Sequence, residues 1–315
     1  MEAKSESERL RPPRQRSLFR EERRLGATMI APSLAVIALV AAYPICYAIW
    51  LSLNEYSVIT PGLSRFVGLD NYIDALSSSD FWGAWVTTIV FTAVSVSLEL
   101  VIGLAMALVM HQAFRGRALL RAVVLVPWAI LTVVTAITWR TIFEPELGFA
   151  NTMLDALSLP GADVVWLGEE GYALAVMILA DVWKTAPFMA LLLLAGLQGI
   201  PDELHDAAKV DGASTWQRFR SITLPLLVPA ITVALIFRSL DALRIFDLPY
   251  ILTRGANGTE TLSLIAQEEL VTNRNTGFGS ALAVLTFLTV MGISFLYIRF
   301  MGGNIRALTQ EEGGR

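Results

Sequence analysis

Two groups of charged residues lie inside long apolar stretches, at a spacing that places each group on one face of a helix. Asp181 and Lys184 are three positions apart, and Arg238, Asp241 and Arg244 follow one another at the same interval. Charged side chains within a membrane-spanning helix are costly and usually face a cavity or a partner. These side chains are therefore candidates for lining the path of a polar solute.

The alternative to a solute path is a structural interpretation of the same charges. Buried charges need partners whatever the protein does, so the two groups would then form salt bridges between helices. Glu99 interrupts another apolar stretch, and we interpret it as a structural residue that pairs with an arginine. We interpret Asp247 as a cap or turn residue rather than a ligand.

The stretches that carry these charges are long enough to cross a membrane. Hydrophobic residues make up 55% of the 315-residue chain and charged residues only 17%, against about a quarter in soluble proteins. A helix needs about 20 apolar residues to span a bilayer. The sequence predicts an all-α polytopic membrane protein. Its six expected spans are residues 27–53, 84–111, 122–143, 171–197, 223–245 and 277–299.

The basic residues predict how the spans are oriented. Arginine and lysine are concentrated in the first 24 residues and in the loops after the second and fourth spans. Cytoplasmic loops carry such an excess, so both termini are expected in the cytoplasm, with the spans in the cell membrane. The expected organisation is a basic cytoplasmic tail (1–25), a transmembrane domain (26–302) and a cytoplasmic C-terminal tail (303–315).

The sequence lacks the residue patterns of an enzyme. It has one cysteine, Cys46, two histidines, no Gly-x-Ser-x-Gly pattern and no Walker A motif. We therefore expect a non-catalytic chain with no metal or cofactor of its own, and no nucleic-acid partner. A stand-alone secondary transporter remains an alternative, although we find neither repeated halves nor paired broken helices.

The loop between the fourth and fifth spans, residues 200–225, predicts a compact helix–turn–helix. Pro201 suits a helix start, and Gly212 permits a left-handed residue in a sharp turn. A second short helix is expected at about 214–222, before Pro225 begins the fifth span. Alanines on the first helix leave a small-residue surface that fits a groove of another protein.

This loop resembles the EAA loop of ABC importer permeases. The matching positions are Asp206, Ala207, Ala208, Gly212, Ile222, Leu224 and Pro225, with Asp206 standing where the family has glutamate. The resemblance implies that the loop couples the chain to an ATPase. The coupling residues implied are Glu203, Asp206, Ala207, Ala208, Asp211, Gly212 and Ala213.

Three other segments, residues 66–72, 98–103 and 246–253, resemble the maltose-type sugar permeases of the same family. The resemblance covers about residues 28–302 and implies a type I importer fold working by alternating access. It also implies several partners: a second homologous permease subunit forming a heterodimer, two ATPase subunits that bind ATP and magnesium, an extracytoplasmic sugar-binding protein or lipoprotein, and membrane lipid.

The family's membrane sugar site maps onto the charged helices. The positions implied are Asp181, Lys184, Thr185, Phe188, Arg238, Asp241, Ala242 and Ile245. Most of the family's neutral amides are replaced at these positions. The whole chain resembles the trehalose-importing members, so trehalose is the expected disaccharide. Another oligosaccharide or a glycerol phosphodiester stays an alternative, because Arg238 and Arg244 suit a phosphate.

Overall fold

The computed structural model describes residues 15–57, 59, 64–112, 115–161 and 163–312. The first 14 and last three residues, which belong to the predicted tails, lie outside the described residues. The chain divides into two compact units, Met1–Leu51 and Ser52–Arg315.

The first unit contains the first predicted span. Helix α1 (Gln15–Ile37) continues through a π-helical turn (Ala38–Ala42) into α2 (Tyr43–Ser52). The π-helical turn ends two residues before Pro44, which has no N–H to donate to the preceding turn. Residues Thr28–Ser52 are long and apolar enough to cross a membrane, as predicted for 27–53.

The second unit is a bundle of helices with one short antiparallel hairpin. In the hairpin, Asn54 lies opposite Phe66 and Glu55 opposite Arg65. The elements of the unit are β1 (Asn54–Glu55), β2 (Arg65–Phe66), α3 (Asp70–Ser77), α4 (Ser79–His111), α5 (Arg117–Ala129), α6 (Thr132–Ile142), α7 (Phe149–Ala156), α8 (Tyr172–Gln198), α9 (Asp202–Val210), α10 (Thr215–Arg218), α11 (Leu224–Ala242), α12 (Asp247–Leu252), α13 (Leu262–Gln267) and α14 (Thr276–Glu312).

Five of the six predicted spans correspond to long apolar helices, and four of these lie in the second unit. The second span begins earlier than expected, because Ser78 caps α4 by accepting a hydrogen bond from the Asp80 amide. The fourth span, α8, lies within a residue of its predicted bounds. Helix α14 contains the sixth span and continues through residues 303–312 of the predicted C-terminal tail.

The third predicted span is not one continuous helix, so the prediction for 122–143 was wrong in this respect. Helices α5 and α6 meet at an angle of 86°. Pro127 lies in the last turn of α5 and removes one backbone donor, and Ile130 then takes an extended conformation. The pair counts as a sixth span if both halves belong to one crossing.

The core of the second unit lies between α4, α8 and α11. Helix α8 contributes the largest buried face, with Met177, Met189 and Leu193 fully enclosed. It approaches α11 closely at Gly196, where a β-carbon would lie 2.4 Å from the β-carbon of Ala230. Small residues at such crossings let helices pack closely in a membrane. This core holds the charged residues of α8 and α11 at fixed positions.

Candidate functional site

The charged residues of α8 and α11 line a cavity of about 210 Å³ beside the break between α5 and α6. Six of the eight predicted path residues contribute to its wall: Asp181, Lys184, Thr185, Arg238, Asp241 and Ile245. The other two do not line it. Phe188 stacks on Trp128 with ring centroids 5.4 Å apart, and Ala242 is fully buried.

Arg238 is the centre of the cluster and joins three helices. Its Nε and Nη2 donate to the two carboxylate oxygens of Glu99 on α4, at 2.5 and 3.0 Å. Nη2 also donates to Asp181 on α8, and Nη1 donates to Asp241 one turn further along α11, at 2.9 Å. The paired contacts with Glu99 are the bidentate arrangement in which an arginine binds a carboxylate most strongly.

Burial divides these residues into two classes. Glu99, Asp181 and Arg238 are almost completely enclosed, and Thr185 donates to Glu99 at 2.8 Å. The prediction that Glu99 pairs with an arginine is confirmed. The Asp241 side chain, in contrast, is 72% exposed. The enclosed groups form an interhelical salt-bridge network, whereas Asp241 has a carboxylate oxygen available to the cavity.

The remaining charges around the cavity have different surroundings. Lys184 is half-buried and donates to two backbone carbonyls at the break between α5 and α6. Arg244 lies just after α11, is exposed, and donates to the carbonyl of Leu240 in that helix. Asp247 lies in the first turn of α12, where its charge complements the helix dipole. This position agrees with its interpretation as a cap or turn residue.

Several residues of the wall were missed by the sequence analysis. Trp128 and Thr132 come from the two sides of the α5–α6 break, and Phe246 and Leu248 come from the segment after α11. Pro127 was the sequence signal for the break, because a proline inside a helix removes a hydrogen bond. An uninterrupted helix was predicted there instead.

The predicted coupling loop is a helix–turn–helix whose turn depends on Gly212. Helix α9 begins after Pro201, as predicted, and ends in a Schellman motif. The Ala213 amide donates to the Ala208 carbonyl at 2.9 Å, and the Gly212 amide donates to the Lys209 carbonyl at 3.1 Å. Gly212 has φ +80°, so the prediction of a left-handed residue here is confirmed.

The second helix of the loop differs from the prediction in how it joins the fifth span. Ser214 caps α10 in a capping box with Gln217. The chain then stays helical through a π-helical turn (Phe219–Thr223) into α11. Pro225 is the second residue of α11, but it does not start a separate helix. The π-helical turn accommodates the donor that proline lacks, as it does before Pro44.

Most of the predicted coupling residues are accessible. Glu203, Asp206, Ala207, Asp211 and Gly212 are exposed, and Ala208 and Ala213 are half-buried. The side-chain hydrogen bond from Lys209 to Asp206, 2.7 Å long, lowers the pKa of Asp206, so the carboxylate is charged at neutral pH.

Large apolar side chains are exposed on the same loop. Val210 and Trp216 are 88% and 67% exposed, and Leu204 is also accessible. Clustered exposed apolar residues mark protein interaction sites. A cavity of about 1040 Å³ is lined by residues of α9, α10 and the ends of α4 and α8. Among the described residues, no group of three or more His, Cys, Asp or Glu side chains is placed to hold a metal ion.

Comparison with known proteins places this arrangement in a family. Residues 99–302 match the family model described as binding-protein-dependent transport system inner membrane component. The trehalose transport system permease protein SugA of Mycobacterium tuberculosis is 44% identical over 281 residues, which cover 89% of this chain and 90% of that protein. The trehalose/maltose transport system permease protein MalF of Thermococcus litoralis is 44% identical over 88% of this chain and 94% of that protein.

The fold is shared with a solved transporter. A chain in the crystal structure of a bacterial alginate ABC transporter, in complex with an alginate pentasaccharide-bound periplasmic protein, superposes with a TM-score of 0.76. The two chains are 22% identical, and the match covers 91% of this chain and 96% of that chain. This chain is therefore a multi-pass membrane protein with the type I permease fold, and it belongs to the binding-protein-dependent transport system inner membrane component family, the permease subunits of ABC transporters.

Proposed function

We propose that this permease subunit carries trehalose inward through the cavity between α8, α11 and the broken third span. The observation that carries the proposal is the 44% identity, over nearly the whole chain, to two permeases whose names include trehalose. The cavity supports it chemically, because Asp241 offers carboxylate oxygens that accept hydrogen bonds from sugar hydroxyls. Trp128 adds an aromatic surface to the same wall.

The size of the cavity supports a second permease subunit. Pockets for small molecules usually measure about 300–1,000 Å³, and this one has only about 210 Å³. We propose that a homologous permease subunit completes it, as a heterodimer. Two ATPase subunits, which bind ATP and magnesium, and an extracytoplasmic sugar-binding protein or lipoprotein complete the transporter.

The loop of residues 200–225 is the proposed contact with the ATPase. Its first helix exposes both acidic and apolar side chains, a combination that suits docking into a groove. ATP binding would close the ATPase subunits, and the loop would transmit this movement to α8 and α11 as a rigid-body shift. This mechanism places the loop and both termini in the cytoplasm, which agrees with the basic loops of the sequence.

A glycerol phosphodiester is a weaker candidate as substrate. Arg238 would be the natural phosphate-binding residue, but its guanidinium already binds three carboxylates and is almost completely buried. The cavity wall carries three acidic and three basic side chains, so it offers no net positive charge to a phosphate. A neutral sugar does not need one.

The direct test is uptake of labelled trehalose by proteoliposomes that contain the chain with its partner subunits and binding protein. We expect uptake that requires ATP and that unlabelled trehalose suppresses. Uptake without ATP would contradict the importer, and ATP-driven uptake of another oligosaccharide but not of trehalose would contradict the assigned substrate.

Replacing Asp241 by asparagine tests the proposed sugar path. Asparagine still accepts a hydrogen bond, so the variant loses only the difference between a bond to a charged group, about 1.5–3 kcal/mol, and a neutral bond, about 0.5–1.5 kcal/mol. We therefore expect the KM of trehalose uptake to rise about five- to tenfold. Asp155→Asn is the matched control, because Asp155 is an exposed carboxylate on α7 away from the cavity wall. Unchanged uptake kinetics in the Asp241 variant would rule out this cavity wall as the path.

A further inference from the structure

The ammonium group of Lys184 joins α8 to the break in the third span. Its Nζ donates to the Ile130 carbonyl at 2.9 Å and to the Trp128 carbonyl at 3.3 Å. Trp128 lies in the last turn of α5, and Ile130 is the residue that caps its end. The last carbonyls of a helix have no partner within the helix, and a cation there is favourable. Lys184 therefore supplies donors that the broken helix lacks.

The break itself creates the need for these donors. In an unbroken helix, amides one turn further along would bind both carbonyls. Here α6 begins at Thr132, in a direction 86° away. Backbone groups without partners are costly inside a membrane, so a break of this kind needs donors from elsewhere.

A second contact holds the same end of α5 against α8. The rings of Trp128 and Phe188 stack at 5.4 Å, nearly parallel, and Phe188 lies one turn beyond Lys184. The lysine and the ring pair therefore both contact the end of α5, and Thr132 at the start of α6 lines the cavity beside them.

We propose that Lys184 is a positioning residue that holds the third span in its broken form and so keeps Trp128 and Thr132 on the cavity wall. A lysine has three N–H donors, and two of them are committed to the backbone of the break. Lys184 affects the substrate through the positions of Trp128 and Thr132. The consequence for transport rests on the proposed function, whereas the effect on the break does not.

The angle of the break can be measured with spin labels at positions 123 and 137, seven residues before and after residue 130. Val123 and Ile137 are 58% and 53% exposed, and Cys46→Ser removes the only native cysteine. At 1.5 Å per residue, an unbroken helix would separate the two backbone positions by about 21 Å, and an 86° bend shortens this to about 15 Å. In the assembled transporter, we expect Lys184→Met to shift the distance distribution towards the longer value.

Three further variants separate positioning from other effects. Lys184→Arg keeps the charge and the donors and should keep the short distance. Lys184→Gln keeps a neutral donor and should give a distance between those of the wild type and Lys184→Met. It takes the place of Lys184→Met in the comparison if that variant does not assemble. Arg244→Met removes a cation from the same cavity without touching the break, so the short distance should remain.

Transport kinetics provide the second measurement. A displaced cavity wall should lower the maximal rate of uptake in Lys184→Met more than it raises KM, and Lys184→Arg should restore the rate. A short distance in Lys184→Met would overturn the proposal, and a raised KM beside it would identify a sugar ligand instead. An equally long distance in Arg244→Met would also overturn it, since charge alone would then control the bend. Because the distances are measured without substrate, they hold even if the chain carries a sugar other than trehalose.

Discussion

Replacing Arg238 by methionine is expected to lower the free energy of unfolding by about 3–5 kcal/mol, the range found when one partner of a buried ion pair is removed. The change leaves Glu99 and Asp181 enclosed without a cation, and Asp241 also loses its contact. Because these residues belong to three different helices, α4, α8 and α11 would lose their shared polar contact. The loss should appear as a lower unfolding temperature of the purified transporter.

Two companion variants identify the cause of that loss. Removing all three charges, in Glu99→Gln, Asp181→Asn and Arg238→Met together, should recover much of the stability, because buried ion networks are often replaceable by neutral groups. Arg244→Met removes an exposed arginine from the segment that follows the same helix and should leave the unfolding temperature unchanged. If the single and triple variants unfold at the same temperature, uncompensated charge is not the cause.

This network divides the charged residues between the structural and the substrate interpretations. Spacing alone placed Asp181 and Lys184, and separately Arg238 and Asp241, on common faces. It did not show which members would be enclosed, because enclosure depends on how α4 packs against α8 and α11. The enclosed Arg238 fits the structural interpretation. The exposed side chain of Asp241 fits the substrate interpretation.

The span positions were largely predictable, because hydropathy over about 20 residues reports a membrane-spanning helix directly. The short helices outside the loop of residues 200–225 were not. Segments α3, α7, α12 and α13 have six to eight residues each and were read as parts of loops. Helices of this length are only marginally stable alone and depend on contacts with the rest of the protein. At the start of α13, for example, the Leu262 amide donates a hydrogen bond to the Thr88 hydroxyl of α4.

The break in the third span shows a different limit. Pro127 permits a break, but prolines also lie inside α8, at Pro187, and inside α11, at Pro229, without ending those helices. The third span differs because Lys184 donates a hydrogen bond to the Ile130 carbonyl at its break. Lys184 lies 54 residues from Ile130 in sequence. A local sequence window therefore cannot separate a kink from a break.

Replacing Gly212 by valine is expected to reduce sugar-stimulated ATP hydrolysis by the assembled transporter about 5- to 30-fold. The reason is conformational, since a β-carbon at this position would meet no other atom within 4 Å, and the residue has φ +80°. A left-handed backbone costs residues other than glycine about 1–2 kcal/mol, which lowers the equilibrium constant of the native turn by about 5- to 30-fold and sets the largest loss of coupling to expect. The hydrogen bonds that end α9 would be lost with the turn.

Gly212→Asn is the control that separates backbone conformation from side-chain size. Asparagine is larger than glycine but tolerates a left-handed conformation and replaces glycine at helix ends. It should therefore keep most of the coupling, although it fills the same space as valine. The measurement is ATP hydrolysis in proteoliposomes with and without sugar-loaded binding protein, beside the amount of ATPase that copurifies. Normal stimulation in the valine variant would show that the turn is not needed for coupling. Equal loss in both variants would show that the free space at Gly212, rather than its backbone angle, is what the ATPase requires.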